Sequence, residues 1–113
     1  MTRRDELCDH IADLLSPLGE VRYRFMFGGW GFYVDDRMAA LVADGVLYLK
    51  ADDGNRAHYE ALGMAPFRPY PDRDATMSYH AVPADLLDDP ESLLPLARSA
   101  VEAAGRAPRR RRR

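Results

Sequence analysis

Apolar residues at Leu7, Ile11, Leu14, Leu15 and Leu18 recur at steps of three and four, which predicts an amphipathic helix over residues 3–16. Thr2 and Asp5 ahead of this run have the spacing of a capping box, with aspartate in place of glutamate. Pro17 and Gly19 end the helix. The period then changes to two. Val21, Tyr23, Phe25 and Phe27 alternate with Arg22, Arg24 and Met26, the pattern of a half-buried strand with arginines on its wet face. Gly28-Gly29-Trp30-Gly31 interrupts the run, and Phe32, Tyr33 and Val34 resume it. Asp35-Asp36-Arg37 makes a turn, and Met38 to Ala43 forms the next strand. Asp44-Gly45 is a two-residue hairpin signal with Val46 to Lys50 as its return. Three or four antiparallel strands therefore stand in a row.

Asp52 or Asp53 is placed to cap a short helix through Leu62, which Gly63 closes. Residues 64–74 hold Pro66, Pro69 and Pro71 and read as a loop with at most a short edge strand. Ala75, Met77, Tyr79 and Ala81 alternate with Thr76, Ser78 and His80 as a last strand, and Pro83 to Leu87 reads as one helical turn. Asp89 followed by Pro90 marks a helix start, and Leu93, Leu94, Ala97, Ala100, Val101 and Ala104 carry helical spacing up to Gly105. Pro95 lacks the N–H that would bond back to Glu91 and is expected to kink or restart this helix. The order fits an α+β domain over residues 1–105, an antiparallel β-sheet with helices packed on one face in two layers. Residues 106–113 are expected to be a disordered, arginine-rich tail.

The composition suits one ordinary globular domain: 113 residues, 47% apolar and 30% charged. No apolar run approaches a membrane span, and the first ten residues lack a signal-peptide core. One cysteine, Cys8, cannot make an internal disulfide, so the expected location is the cytoplasm. The net charge of −2 conceals a division. Residues 1–105 carry ten basic against eighteen acidic residues, net −8, and the last eight carry +6. The acidic body does not attract DNA or an anionic membrane. Arg106, Arg109, Arg110, Arg111, Arg112 and Arg113 are candidate nucleic-acid contacts of a sequence-independent kind. The competing reading is a solvated tail, or one folded back on the acidic body.

Little local chemistry stands out. The glycine cluster has neither a following Gly-Lys-Ser/Thr nor the G-x-G-x-x-G spacing, and a strand comes next, so a bulge or tight corner is favoured over a phosphate cradle. Cys8 and His10 point to different helix faces, and His58 and His80 are isolated, so no metal site or cofactor is expected. Cys8 lies beside Leu7 and Ile11 and reads as a small core residue. Asp52-Asp53 and Asp88-Asp89 look like paired carboxylates, but they sit where helices begin and read as caps. Alternation places Trp30 and Phe32 on one face of their strand and Tyr33 on the other, so one aromatic set is a candidate contact for a protein partner, against the alternative of core packing.

Met26-Phe27-Gly28-Gly29-Trp30-Gly31-Phe32-Tyr33, Met38-Ala39-Ala40-Leu41-Val42-Ala43-Asp44 and Leu47-Tyr48-Leu49-Lys50-Ala51-Asp52 together resemble the N-terminal domain of the TfoX/Sxy proteins. Ala61-Leu62-Gly63, Met77-Ser78-Tyr79 and Leu87-Asp88-Asp89-Pro90-Glu91 agree, and the likeness runs from about residue 5 to 104. The resemblance implies a secretion-chaperone-like α+β fold, of a kind that often pairs as a homodimer. It also implies regulation of natural competence, as a coactivator working with the cyclic-AMP receptor protein. The best-known members carry a second, C-terminal domain where this sequence runs into its arginines. An ordinary helix former usually stands at the place of Pro95.

Tyr48, Lys50, Ser78 and Tyr79 are the polar residues of the matching blocks. A Lys50–Tyr48–Ser78 cleft, with His80 near, would suit a small enzyme or ligand-binding protein if the lysine were desolvated. The alternative is a lysine in solvent beside a packed tyrosine ring. The expectation is a non-enzymatic regulatory or adaptor module. Its candidate partner-binding residues are Met26, Phe27, Gly28, Gly29, Trp30, Gly31, Tyr33, Tyr48, Lys50, Ser78 and Tyr79, with the arginine tail as an auxiliary anchor.

Overall fold

The structure, a computed structural model, describes residues 3–26, 29–68 and 77–106. Its elements are α1 (Arg3–Leu15), β1 (Val21–Met26), β2 (Gly29–Val34), β3 (Arg37–Ala43), β4 (Val46–Lys50), α2 (Arg56–Ala61), β5 (Pro66–Phe67), β6 (Met77–Ala81) and α3 (Pro90–Arg106), with 3-10 turns at Ser16–Leu18 and Ala84–Asp88. The six strands form one sheet in the order β1-β2-β3-β4-β6-β5, with every neighbouring pair antiparallel. The α+β, antiparallel reading of the sequence is the observed architecture.

Turn chemistry sets the meander. Asp44 and Gly45 both have positive φ, +52° and +76°, the dihedrals that a two-residue hairpin matched to strand twist requires. Asp35 and Asp36 do the same at +50° and +70° without a glycine, since a short polar side chain tolerates the left-handed region. The Asp35 carboxylate also accepts a hydrogen bond from the Glu20 N–H at 2.9 Å, tying this turn to the start of β1. At Phe32/Tyr33 the β2–β3 register shifts, so Ala39 joins Ala40 on the buried side of β3.

One face of the sheet carries the core. Phe32, Ala40, Val42, Leu47 and Leu49 meet Cys8, Ile11 and Leu15 of α1, Tyr59 of α2, and Leu93, Leu96, Ala97 and Ala100 of α3. Cys8 is fully buried there, as its place in the apolar stripe predicted. Alanines along α3 let that helix lie close against β3 and β4. Losing Phe32 from this layer would cost about 4 kcal/mol by the usual magnitude for a buried phenylalanine.

Several boundaries differ from expectation. α2 starts after Asn55, and neither Asp52 nor Asp53 caps it. Instead the Asp52 backbone carbonyl accepts the Asn55 and Arg56 N–H groups, while the Asn55 side chain turns inward. α3 does begin at Pro90, and the Asp89 carboxylate faces the Ser92 N–H at 3.4 Å. It runs unbroken through Pro95, which is exposed and forfeits one bond near the helix start. It also continues to Arg106, so that residue belongs to the folded domain and not to a tail. The proposed capping box involves Thr2, which lies outside the described residues, as do Phe27, Gly28 and residues 69–76 and 107–113.

Candidate interaction surface

The β1 end of the sheet is built from rings. Tyr23 and Phe25 alternate onto the helix-bearing face and flank Trp30 of β2, with centroid separations of 5.5 and 5.4 Å and near-perpendicular planes. Tyr23 also leans on Phe32 at 5.3 Å, and its hydroxyl donates to the Asp9 carboxylate of α1 at 2.7 Å. Phe25 lies beyond this support and is 58% exposed. The Trp30 indole N–H is buried and meets no acceptor among the described residues, so ring stacking at this end is accepted at the expense of a hydrogen bond.

On the other side of β1 stand Arg22 and Arg24. Arg22 pairs with Asp36, both of them largely exposed. Arg24 is exposed and has no ion-pair partner among the described residues. Together with Tyr23, Tyr33 and Asp36 they line an open cleft of about 420 Å³.

The glycines between these rings are structural. A Cβ on Gly29 would fall 2.1 Å from the Val42 carbonyl oxygen, so β2 and β3 approach more closely there than any side chain permits. A Cβ on Gly31 would meet Met26 at 2.9 Å and Met38 at 3.1 Å, because both methionines fold over that glycine. Gly29 and Gly31 are buried, so they shape the surface without presenting atoms to a partner. Phe27 and Gly28 lie outside the described residues.

The outer face of the sheet holds a second, smaller cluster of Leu41, Phe67 and Tyr79, flanked by Met38, Ala43 and Tyr48. Tyr48 stacks on Phe67 at 4.7 Å, and the Tyr79 hydroxyl donates to the Met38 carbonyl at 3.3 Å. Burial pushes the Tyr79 phenol up to about 12, with a smaller contribution from Tyr33. Burial, then the Asp44 carboxylate, raises Tyr48 as well. The Lys50 ammonium stands 5.1 Å above the Tyr79 ring, a cation–π contact.

These positions do not make the cleft that the sequence suggested. Lys50 and Ser78 border a depression of about 320 Å³ together with Asp52, Asp53, Arg56 and Arg106, and Tyr48 is not part of it. β6 alternates, so Ser78 and His80 face away from Tyr79. His80 is buried, and its Nδ1 donates to the Met64 carbonyl at 2.8 Å.

That depression is filled with answered charge. The Arg106 guanidinium grips the Asp52 carboxylate through two bonds of 2.7 and 2.9 Å. This bond, aided by the Gly54 and Asn55 backbone, holds the Asp52 carboxyl down to about 2 against some opposing desolvation. Arg56 pairs with Asp53 at 2.7 Å. Arg106, read from sequence as a nucleic-acid contact, is thus engaged inside the domain, whereas Arg109 to Arg113 lie outside the described residues. The residues that sequence reading passed over are Phe25, Arg22 and Arg24 as a surface, and Asn55 and Arg106 as supports. The arginine alternation in β1 was visible, but its place at a sheet edge was not.

The chain matches the family model of the TfoX N-terminal domain over residues 13–104. The chain belongs to the TfoX N-terminal domain family. It is similar to the DNA transformation protein TfoX1 of Aliivibrio fischeri, 34% identical over 95 residues that make up 83% of this chain and 46% of that protein. It is also similar to protein Sxy of Escherichia coli, 32% identical over 94 residues, 81% of this chain and 44% of that one. The chain therefore spans less than half the length of these TfoX relatives. The TfoX blocks recognised in the sequence fall on β1 to β4, the end of α2, β6 and the start of α3. No helix among the described residues is long and apolar enough to cross a membrane.

Proposed function

We propose that this TfoX-type domain is a non-enzymatic regulatory module of the cytoplasm that acts by binding a protein partner, in the control of DNA uptake or of transcription linked to it. Membership of a family whose relatives include a DNA transformation protein supports the setting. The observation that carries the binding reading is the β1 end, where an exposed phenylalanine packs edge-to-face on a tryptophan beside two exposed arginines. The arginine run from Arg109 to Arg113 serves in this reading as a nonspecific nucleic-acid anchor, with the acidic body turned toward the protein partner.

Two measurements test the halves separately. A pull-down with the full chain is expected to capture a discrete partner and to lose it on Phe25→Ala. Recovery of no partner, or of the same partners by the variant, contradicts the binding half. DNA binding across a salt series compares the full chain with a variant in which Arg109 to Arg113 are all glutamine. The full chain is expected to show log K falling by up to about five units per log unit of salt, and the variant no binding. Equal binding by both removes the anchor from the account.

A further inference from the structure

The two edges of the sheet are unlike. β5 is two residues long and contains Pro66, which has no N–H to offer, so a further strand gains little there. β1 is six residues long, contains no proline or glycine, and pairs only with β2 among the described strands. Every second residue of such an edge turns its N–H and C=O outward, ready for another chain. We propose that β1 is the docking edge for an extended segment of a partner protein, which adds as a seventh strand and alternates acidic with apolar side chains. This rests on the protein-binding reading above and specifies the chemistry of that partner.

The alternation follows from the two faces of β1. On the outer face, Arg22 and Arg24 are two residues apart, so both meet the same side of an added strand. Arg24 has no ion-pair partner among the described residues. The Arg22–Asp36 pair lies in solvent and is therefore cheap to exchange for another carboxylate. The cleft of about 420 Å³ around them gives an incoming carboxylate room to sit between the guanidiniums. On the helix-bearing face, Phe25 is exposed against Trp30, and an apolar side chain from the added strand would cover it. Residues i and i+2 of the segment thus meet arginine while i+1 meets the ring.

A second copy of this chain is a poor occupant. Antiparallel pairing of β1 with itself, centred on Tyr23 with the faces aligned, sets Arg22 of one chain against Arg24 of the other twice. Nucleic acid would find the two arginines but has no peptide N–H and C=O groups to pair with the β1 edge.

The probe is a seven-residue peptide alternating glutamate and valine, with both ends blocked, titrated against the full chain. The single tryptophan, Trp30, reports docking through its fluorescence, and amide exchange at Val21–Met26 reports strand pairing. The glutamate peptide is expected to bind at least about tenfold more tightly than its lysine–valine counterpart. Arg24→Glu should reverse that order, and Phe25→Ala should weaken both peptides about tenfold without changing it. Circular dichroism of each variant checks that the fold is retained. The proposal is overturned if the glutamate peptide shows no binding at millimolar concentration, if both peptides bind alike, or if Arg24→Glu leaves the order unchanged. It is also overturned if the full chain is a dimer with β1 amides protected, or if a short DNA duplex protects them instead. Failure of the peptide alongside a Phe25-dependent partner in the pull-down rejects strand addition and leaves the partner-binding reading standing.

Discussion

At the β6 end of the sheet, polar groups go inside and find partners; at the β1 end, rings go half inside and one donor finds none. Asn55 is buried, accepts the Asp52 N–H at 2.8 Å, and donates to the Lys50 carbonyl and to Ser99. Tyr59, fully buried, donates to the Leu96 carbonyl at 2.8 Å, and His80 donates to that of Met64. These bonds fix α2, α3 and the strands in one arrangement, because each broken one strands a polar group away from water. The β1 end is held mainly by ring contacts, with the exposed Tyr23–Asp9 bond beside them, and leaves Phe25 in solvent. One end is specified for stability, the other left available for contact.

Mutations at the two ends should therefore behave differently. Asn55→Ala removes several buried bonds at once and is expected to destabilise by about 3 kcal/mol in urea unfolding. A loss below about 1 kcal/mol would mean that water replaces the side chain and that this end is not locked. Tyr59→Phe keeps the ring and deletes one donor, leaving the Leu96 carbonyl short, with an expected loss of about 1.5 kcal/mol.

The third effect is pH-dependent. Asp52 titrates near 2 in the folded domain, below the usual carboxylate value of 3.8, so its bond to Arg106 favours folding above about pH 4. That contribution fades as pH falls from about 4 to 2. Acid unfolding of Asp52→Asn should show a shallower dependence across this window than the wild type, and an identical slope would mean that the Asp52–Arg106 bond does not contribute to acid stability. Phe25→Ala should have the smallest effect on stability, under about 1 kcal/mol, because the ring is mostly exposed and loses only its edge-to-face contact with Trp30. A large loss would place Phe25 in the core layer and collapse the contrast between the ends.

Much of the fold was legible because it rests on local rules. Alternation from Val21 to Met26, the Asp44-Gly45 turn and the Asp89-Pro90 helix start each depend on neighbours in sequence. The candidate site depends on strand order. Nothing within residues 21–26 says that β1 lies at an edge, so Arg22 and Arg24 looked like any wet face. Asn55 gave no signal in the sequence because its partner Ser99 is 44 positions away. Arg106 looked like the first residue of a basic tail because Asp52 is 54 positions away. The Lys50–Tyr48–Ser78 cleft was suggested by shared blocks, but strand alternation puts Ser78 on the face opposite Tyr48.

The most direct test is native-state amide exchange, residue by residue, in the free full chain and with the glutamate–valine peptide at saturation. The account predicts that alternate amides of Val21–Met26 exchange quickly in the free protein and slow in the complex, while those of Asn55, Tyr59 and Met64 are slow in both. Amides of β1 already as slow as those of β3 without peptide, or new protection appearing at β5 instead, would contradict it.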